Sequence, residues 1–215
     1  MMFYNLHTHK ASGAANVLEI VNQYPNEFDA TAQYFSIGIH PWHIHLERLD
    51  QDLAVIAEKL QWDNCLALGE CGLDKRIETD LKTQIAVFEK QLELARHFQK
   101  PVILHCVAAY QEVIAIKKRM QLTVPMVIHG FSKNYQVAKS LLDNGFYLSF
   151  GKYLLRNPEL AAVFKQIPDD RFFMETDMVE ETIFEVYQKA EEIKQYAVTE
   201  IVARNFENVF NSNNK

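Results

Sequence analysis

The 215 residues, 48% of them hydrophobic, suffice for one compact domain with a sizeable core. They fall somewhat short of a complete eight-unit (β/α) barrel, which typically takes about 250 residues. A formal charge of -6, from 28 acidic against 22 basic residues, argues against an extended duplex-binding surface, which needs a basic stripe to neutralise phosphates.

In chain order, Met1–Leu6 is a short apolar run that ends at once in His7, with none of the basic region, long apolar stretch and cleavage site of a signal peptide. Apolar runs then predict seven strands: Phe3–His7, Tyr34–Ile39, Cys65–Gly69, Val102–His105, Met126–His129, Phe146–Phe150 and Phe172–Glu175. A first helix is expected before Pro25, and Phe28–Gln33 stays open between a loop and a strand antiparallel to its successor. Helical spacing of three and four marks Leu53, Ile56, Ala57 and Leu60, then Leu81, Ile85, Phe88, Leu92 and Ala95. It recurs at Ala138, Leu141 and Leu142, and at Ile183, Val186, Tyr187, Ala190 and Ile193. The basic run Lys117–Arg119 reads as a solvated helix face. The tail Asn211–Lys215 is polar and expected to fray.

Strands alternating with helices predict parallel βαβ units in a TIM-like (β/α) barrel of seven to eight strands, with one unit distorted or missing. No linker or repeat divides the chain, so residues 1–215 read as one domain. No segment has the length to span a membrane. Cys65, Cys71 and Cys106 follow no paired metal spacing and read as reduced, buried thiols, which points to the cytoplasm.

Residues able to bind metal recur at the strand ends: His7 and His9, Glu70, His105, His129 and Asp177. Two side chains two apart on a strand face the same way, so His7 and His9 can share a target. Each residue alone is equally compatible with a hydrogen-bonded core histidine, a cap or a surface charge. Their shared placement is what carries weight, because parallel strands bring all their carboxyl ends to one rim. Four imidazoles and two carboxylates suit two divalent ions with positions left for water. Mixed nitrogen and oxygen donors suit Zn, Mn, Fe or Co, whereas Mg prefers more oxygen. His40 could line a substrate pocket without being a direct ligand, and Glu175 shares strand parity with Asp177 and could support it.

The stretches Leu6–His9, Gly38–Trp42, Gly69–Asp74, Pro101–Cys106, His129–Ser132, Glu175–Asp177 and Asn205–Phe210 together resemble the TatD family of metal-dependent hydrolases, in the family's order and over nearly the whole chain. The resemblance implies a TIM barrel, two divalent ions (Mg included among the candidates), and metal-assisted phosphodiester hydrolysis with single-stranded DNA or a small phosphoester as substrate. It implies that His7 and His9 hold one ion with Glu70 and Asp177, and that Glu70 bridges to a second ion held by His105 and His129. Glu70 and Asp177 would be the catalytic carboxylates, Asp177 orienting water or accepting its proton. No membrane and no obligate protein partner are implied. The chain departs from the family at Asn5, commonly an Asp, and at Val107, commonly an Arg. It departs again after Asp177, where Met178-Val179 leads directly to Glu180 and Glu181 instead of a long loop. The departures favour a small amide, lactone or phosphoester as an alternative substrate, and a metal-binding module without turnover is the reading furthest from the motifs.

Overall fold

The computed structural model describes residues 2–210, so the tail Asn211–Lys215 lies outside the described residues. Eight strands follow in chain order in one sheet. They are β1 (Phe3–Thr8), β2 (Val17–Gln23), β3 (Phe35–Ile37), β4 (Cys65–Asp74), β5 (Val102–Val107), β6 (Met126–Ile128), β7 (Phe146–Phe150) and β8 (Phe172–Met174). The helices are α1 (Leu49–Lys59), α2 (Leu81–Phe98), α3 (Tyr110–Arg119), α4 (Tyr135–Asp143), α5 (Lys152–Arg156), α6 (Pro158–Phe164), α7 (Ile183–Lys194) and α8 (Thr199–Phe210). The sequential strand order and the parallel β1–β2, β3–β4, β4–β5 and β7–β8 pairings are those of a (β/α) barrel, as expected.

The eighth strand is β2, where the sequence reading has a helix instead. Val17, Ile20 and Val21 are β-branched and stiff at χ1, which favours the extended chain once it can pair with β1. Gly13, at φ 71°, turns the short β1–β2 connection, and the Ser12 amide donates to Glu19 Oε2 at 2.7 Å. Phe28–Gln33 forms no strand; it turns around Asp29, whose Oδ1 accepts from the Thr31 amide at 2.8 Å. Among the described residues no helix separates β1 from β2 or β2 from β3.

The chain divides into two compact units: residues 2–21 with 127–210, and Asn22–Met126. In the first, α7 begins with a capping box between Thr182 and Glu185 and buries Val186, Tyr187 and Ala190. The Tyr187 hydroxyl takes the Tyr4 amide at 3.2 Å and donates to the Tyr4 carbonyl at 3.1 Å, which anchors α7 on β1. Asn205 of α8 donates to the Phe172 carbonyl at 3.0 Å and fixes the start of β8. β8 in turn leads back to β1 through a parallel bridge between Thr8 and Asp177.

In the second unit, α2 is capped by Asp80, which accepts from the amides of Lys82 and Thr83. Its buried face is not wholly apolar. Gln84 accepts from the Asp74 amide at 2.8 Å and donates to the Asp74 carbonyl at 2.9 Å. Gln91 does the same for Ile39, at 2.7 and 3.1 Å. One helix thus grips the ends of two chain segments that lead into functional side chains. Gly72, at φ 143°, lies so close to β5 that a Cβ there would overlap the His105 carbonyl oxygen.

Candidate metal centre

In the first unit, His7 lies inside β1 and His9 just beyond its end, while Asp177 follows β8. The Asp177 amide donates to the His7 carbonyl at 2.9 Å, and the Asp177 carbonyl accepts from the His9 amide at 3.1 Å. Asp177 takes a left-handed φ of 59°, uncommon for a residue with a side chain, and these two bonds hold it there. The consequence is that Asp177 Oδ1 sits 3.9 Å from His7 Nε2 and 3.7 Å from His9 Nε2. Those separations are too long for hydrogen bonds. They approach the edge of a tetrahedron with bonds of about 2.1 Å, which is about 3.4 Å. The donor set and spacing fit one divalent ion.

The second Asp177 oxygen, Oδ2, accepts from Lys152 Nζ at 2.9 Å. Burial pushes the Asp177 carboxyl upward, but His129, His7 and Lys152 outweigh it and hold the group below its ordinary value. Lys152 follows β7, and the strand-end rule for metal donors does not single it out, because its role runs through Asp177. It supplies a cation beside Asp177 in the first unit.

His129 directly follows β6, and its ring lies 4.4 Å from that of His7. His129 Nδ1 is 3.4 Å from Glu175 Oε1, an oxygen that also accepts from the Gly130 amide at 2.8 Å. Glu175 is 1% exposed. A carboxylate at Nδ1 fixes the proton there and leaves Nε2 as the donor atom, the usual arrangement behind a metal-binding histidine. Gly151 permits this packing, since a Cβ there would meet the Glu175 carbonyl oxygen at 2.8 Å.

In the second unit, Glu70 lies inside β4 and His105 inside β5, not after strands that end at Gly69 and His105. The Glu70 amide donates to Asn22 Oδ1 at 2.8 Å. Glu70 Oε1 is 2.9 Å from His105 Nδ1 and 3.2 Å from His40 Nε2. His105 Nε2 is 3.3 Å from Asp74 Oδ2. Asp74 accepts from an Nε2–H, which keeps the ring proton on Nε2 and leaves the Nδ1 lone pair beside Glu70, so that Glu70 and His105 form a second donor pair suited to a divalent ion.

His40 is close enough to this pair to belong to it by distance alone. Its hydrogen bonds argue for another role. His40 Nδ1 accepts from the Trp42 amide at 3.1 Å, which places the proton of the neutral ring on Nε2, facing Glu70. Burial holds the imidazole below its ordinary pKa against the opposing pull of Glu70, so the neutral form prevails. His40 thus donates to Glu70 and positions it.

Asn5, where an Asp is usual in the family, exchanges two hydrogen bonds with Thr176: its amide donates to Oγ1 at 2.9 Å and its carbonyl oxygen accepts from the Thr176 amide at 3.0 Å. A carboxylate could accept but not donate, so the substitution is absorbed by a local pairing. Beside His9 and Asp177 lies a cavity of about 590 Å³ lined by Lys10, Ser12, Met178, Ile183 and Phe184. At its rim Glu181 pairs with Arg156 at 2.5 Å, so the acidic edge expected there is partly neutralised. Cys65, Cys71 and Cys106 are free and buried, and burial pushes Cys65 and Cys106 up to about 12, which removes them as thiolate ligands.

A parallel barrel order with His-His-Asp and Glu-His candidate donor sets at its strands defines a (β/α)-barrel protein equipped for metal binding. The family model described as TatD related DNase matches residues 2–211, and the chain belongs to that family. An uncharacterized metal-dependent hydrolase of Haemophilus influenzae is 33% identical over 161 residues, 70% of this chain and 60% of that protein. The 3'-5' ssDNA/RNA exonuclease TatD of Edwardsiella piscicida is 33% identical over 171 residues, 76% of this chain and 63% of its own length. The chain thus spans less than two thirds of these relatives. Among solved structures, the TatD homolog YJJV of Escherichia coli K12 superposes with a TM-score of 0.83 at 21% identity, covering 97% of this chain and 98% of that one. A TatD family hydrolase of Entamoeba histolytica gives 0.79 at 18% identity, covering 97% and 98%. These likenesses establish the fold. Among the described residues no helix is long and apolar enough to cross a membrane.

Proposed function

We propose that the protein is a divalent-metal-dependent hydrolase that cleaves phosphodiester bonds in single-stranded DNA or in a smaller phosphoester. The observation that carries this reading is the convergence of His7, His9 and Asp177 donor atoms at 3.7 to 3.9 Å, with the second Asp177 oxygen held by Lys152. We assign His7, His9 and Asp177 to one ion, and Glu70 with His105 to a second; His129, oriented by Glu175, is a further ligand in its own unit. The ions would supply Lewis acidity and a water of lowered pKa.

The chain's own residues do the rest. Asp177 orients the attacking water and accepts its proton, a role suited to a carboxylate held ionised. Lys152 keeps one Asp177 oxygen fixed and offers positive charge near the phosphoryl oxygens. His40, with its proton on Nε2, holds Glu70 in place. The names of relatives, one of them a 3'-5' ssDNA/RNA exonuclease, support a nucleic-acid substrate.

The formal charge of -6, Val107 in place of arginine and Glu180 at the rim favour a short or single-nucleotide substrate over a long polyanion. The test is metal content of the gently purified protein, then hydrolysis of bis-p-nitrophenyl phosphate by the wild type and by Glu70→Ala. Bound metal with activity abolished in the variant is the expected result. Absence of metal after loading would refute the reading.

A further inference from the structure

Trp42 is 60% exposed although it sits directly beside the Glu70–His105 pair. A single exposed apolar residue ordinarily needs no explanation. This one is unusual in being locked. It sits on a short 3₁₀ turn, Pro41–His43, whose first free amide, Trp42 N, is capped by His40 Nδ1. The His43 amide donates to the His40 carbonyl at 2.9 Å, and Gln91 clamps both backbone groups of the preceding Ile39.

The indole is fixed as firmly as the turn. Trp42 Nε1 donates to Asp74 Oδ2 at 2.8 Å, and Asp74 is 3% exposed. The same Asp74 oxygen faces His105 Nε2. The carboxylate that orients the metal-binding imidazole therefore also aims the indole. The His105 and His40 rings lie 5.9 and 5.1 Å from it, at 73° and 90°. Neither is stacked on the indole, and most of its surface faces solvent.

A wide aromatic plane held without rotamer freedom loses little entropy on binding a flat partner, and base–aromatic stacking is worth about 1–3 kcal/mol. We propose that Trp42 is a substrate-binding platform that stacks on a planar ring attached near the scissile phosphoester, and so makes the enzyme prefer phosphoesters carrying a nucleobase. The inference rests on the phosphoester reading above. It names an additional contact for the substrate, outside the donor groups.

The test compares binding of dAMP and of deoxyribose 5-phosphate, which lacks the ring, to the purified protein and to its Trp42→Leu and Trp42→Phe variants. Affinities come from calorimetry, and intrinsic fluorescence is followed in parallel. The wild type binds dAMP more tightly than deoxyribose 5-phosphate, with quenched indole emission. In Trp42→Leu the ratio of the two affinities falls at least tenfold, and Trp42→Phe, which keeps a flat ring, retains part of the preference. Matched thermal unfolding curves show that the variants fold. If the ratio in Trp42→Leu equals that of the wild type, the platform is wrong and the phosphoester reading stands. If neither ligand binds the wild type, both readings fall together.

Discussion

Asp74 Oδ2 lies 3.3 Å from His105 Nε2 and takes the Trp42 indole N–H at 2.8 Å, so one buried carboxylate orients the imidazole assigned to a metal ion and an exposed aromatic plane. Burial pushes its carboxyl upward, but the Trp42, Arg76 and His105 hydrogen bonds outweigh that and keep it ionised in the neutral range. Replacing it with alanine removes the acceptor for both rings. Asp74→Ala is expected to weaken metal affinity by about 10- to 100-fold, the usual cost of losing a carboxylate behind a metal-binding histidine. Titration with Mn²⁺ or Zn²⁺ checks this, and an unchanged dissociation constant would sink the orienting role.

Lys152→Met removes the cation from Asp177 Oδ2 and leaves a half-buried carboxylate facing only imidazoles. Hydrogen bonds to charged groups contribute about 1.5–3 kcal/mol, so kcat/KM should fall by about 10- to 100-fold. Measured against bis-p-nitrophenyl phosphate at saturating metal, an effect under twofold would show Lys152 to be a bystander.

Gln91→Leu preserves bulk in α2 but leaves the Ile39 amide and carbonyl without their partner. An unsatisfied buried group costs about 1–3 kcal/mol, and two are stranded here. The expected outcome is a clear drop in thermal midpoint, together with weaker dAMP binding because the His40–Trp42 turn loses its clamp. A variant as stable as the wild type would show that water satisfies both groups.

Asp169 gives a prediction with a pH sign. Burial raises its carboxyl, yet Tyr196, Lys194 and Arg204 prevail and lower it below the ordinary value. A depressed carboxylate contributes stability that is present above its unfolded pKa and is lost as pH falls through its folded pKa. Asp169→Asn should therefore lower the thermal midpoint at pH 7, and the gap from wild type should close as the pH falls below the carboxylate range. Because Asp169 is well exposed, solvent screening keeps the effect small. A gap that widens on acidification would contradict the assignment.

Much of this was legible from residue placement. The strand-end rule singles out His7, His9, Glu70, His105, His129 and Asp177 as candidate donors, because alternation fixes which side chains of a strand point together. The structure brings His7 and His9 to Asp177 in one unit and Glu70 to His105 in the other. Alternation pairs Glu175 with Asp177, whereas its contact with His129 is a relation that only the fold supplies. The rule did not extend to β2, since Val17–Gln23 is too short for periodicity to separate strand from helix and its pairing with β1 decides the matter. Nor did it reach Asp74 or Lys152. Asp74 acts through His105 and Trp42, and Lys152 through Asp177, so their roles are relations between residues distant in sequence. The part of His40 depended on which ring nitrogen carries the proton, and that is set by a backbone amide in a turn no pattern specifies.

The grip of the His7 and His9 backbone on Asp177 has a bearing on synthesis. The two histidines are synthesised before their carboxylate partner, which arrives only after β8 has been made. If His7, His9 and Asp177 hold an ion as proposed, a nascent chain cannot hold it there until β8 has found β1. An ion bound there would recognise only the finished arrangement and stabilise it by mass action, so ion supply would govern how long newly closed molecules persist.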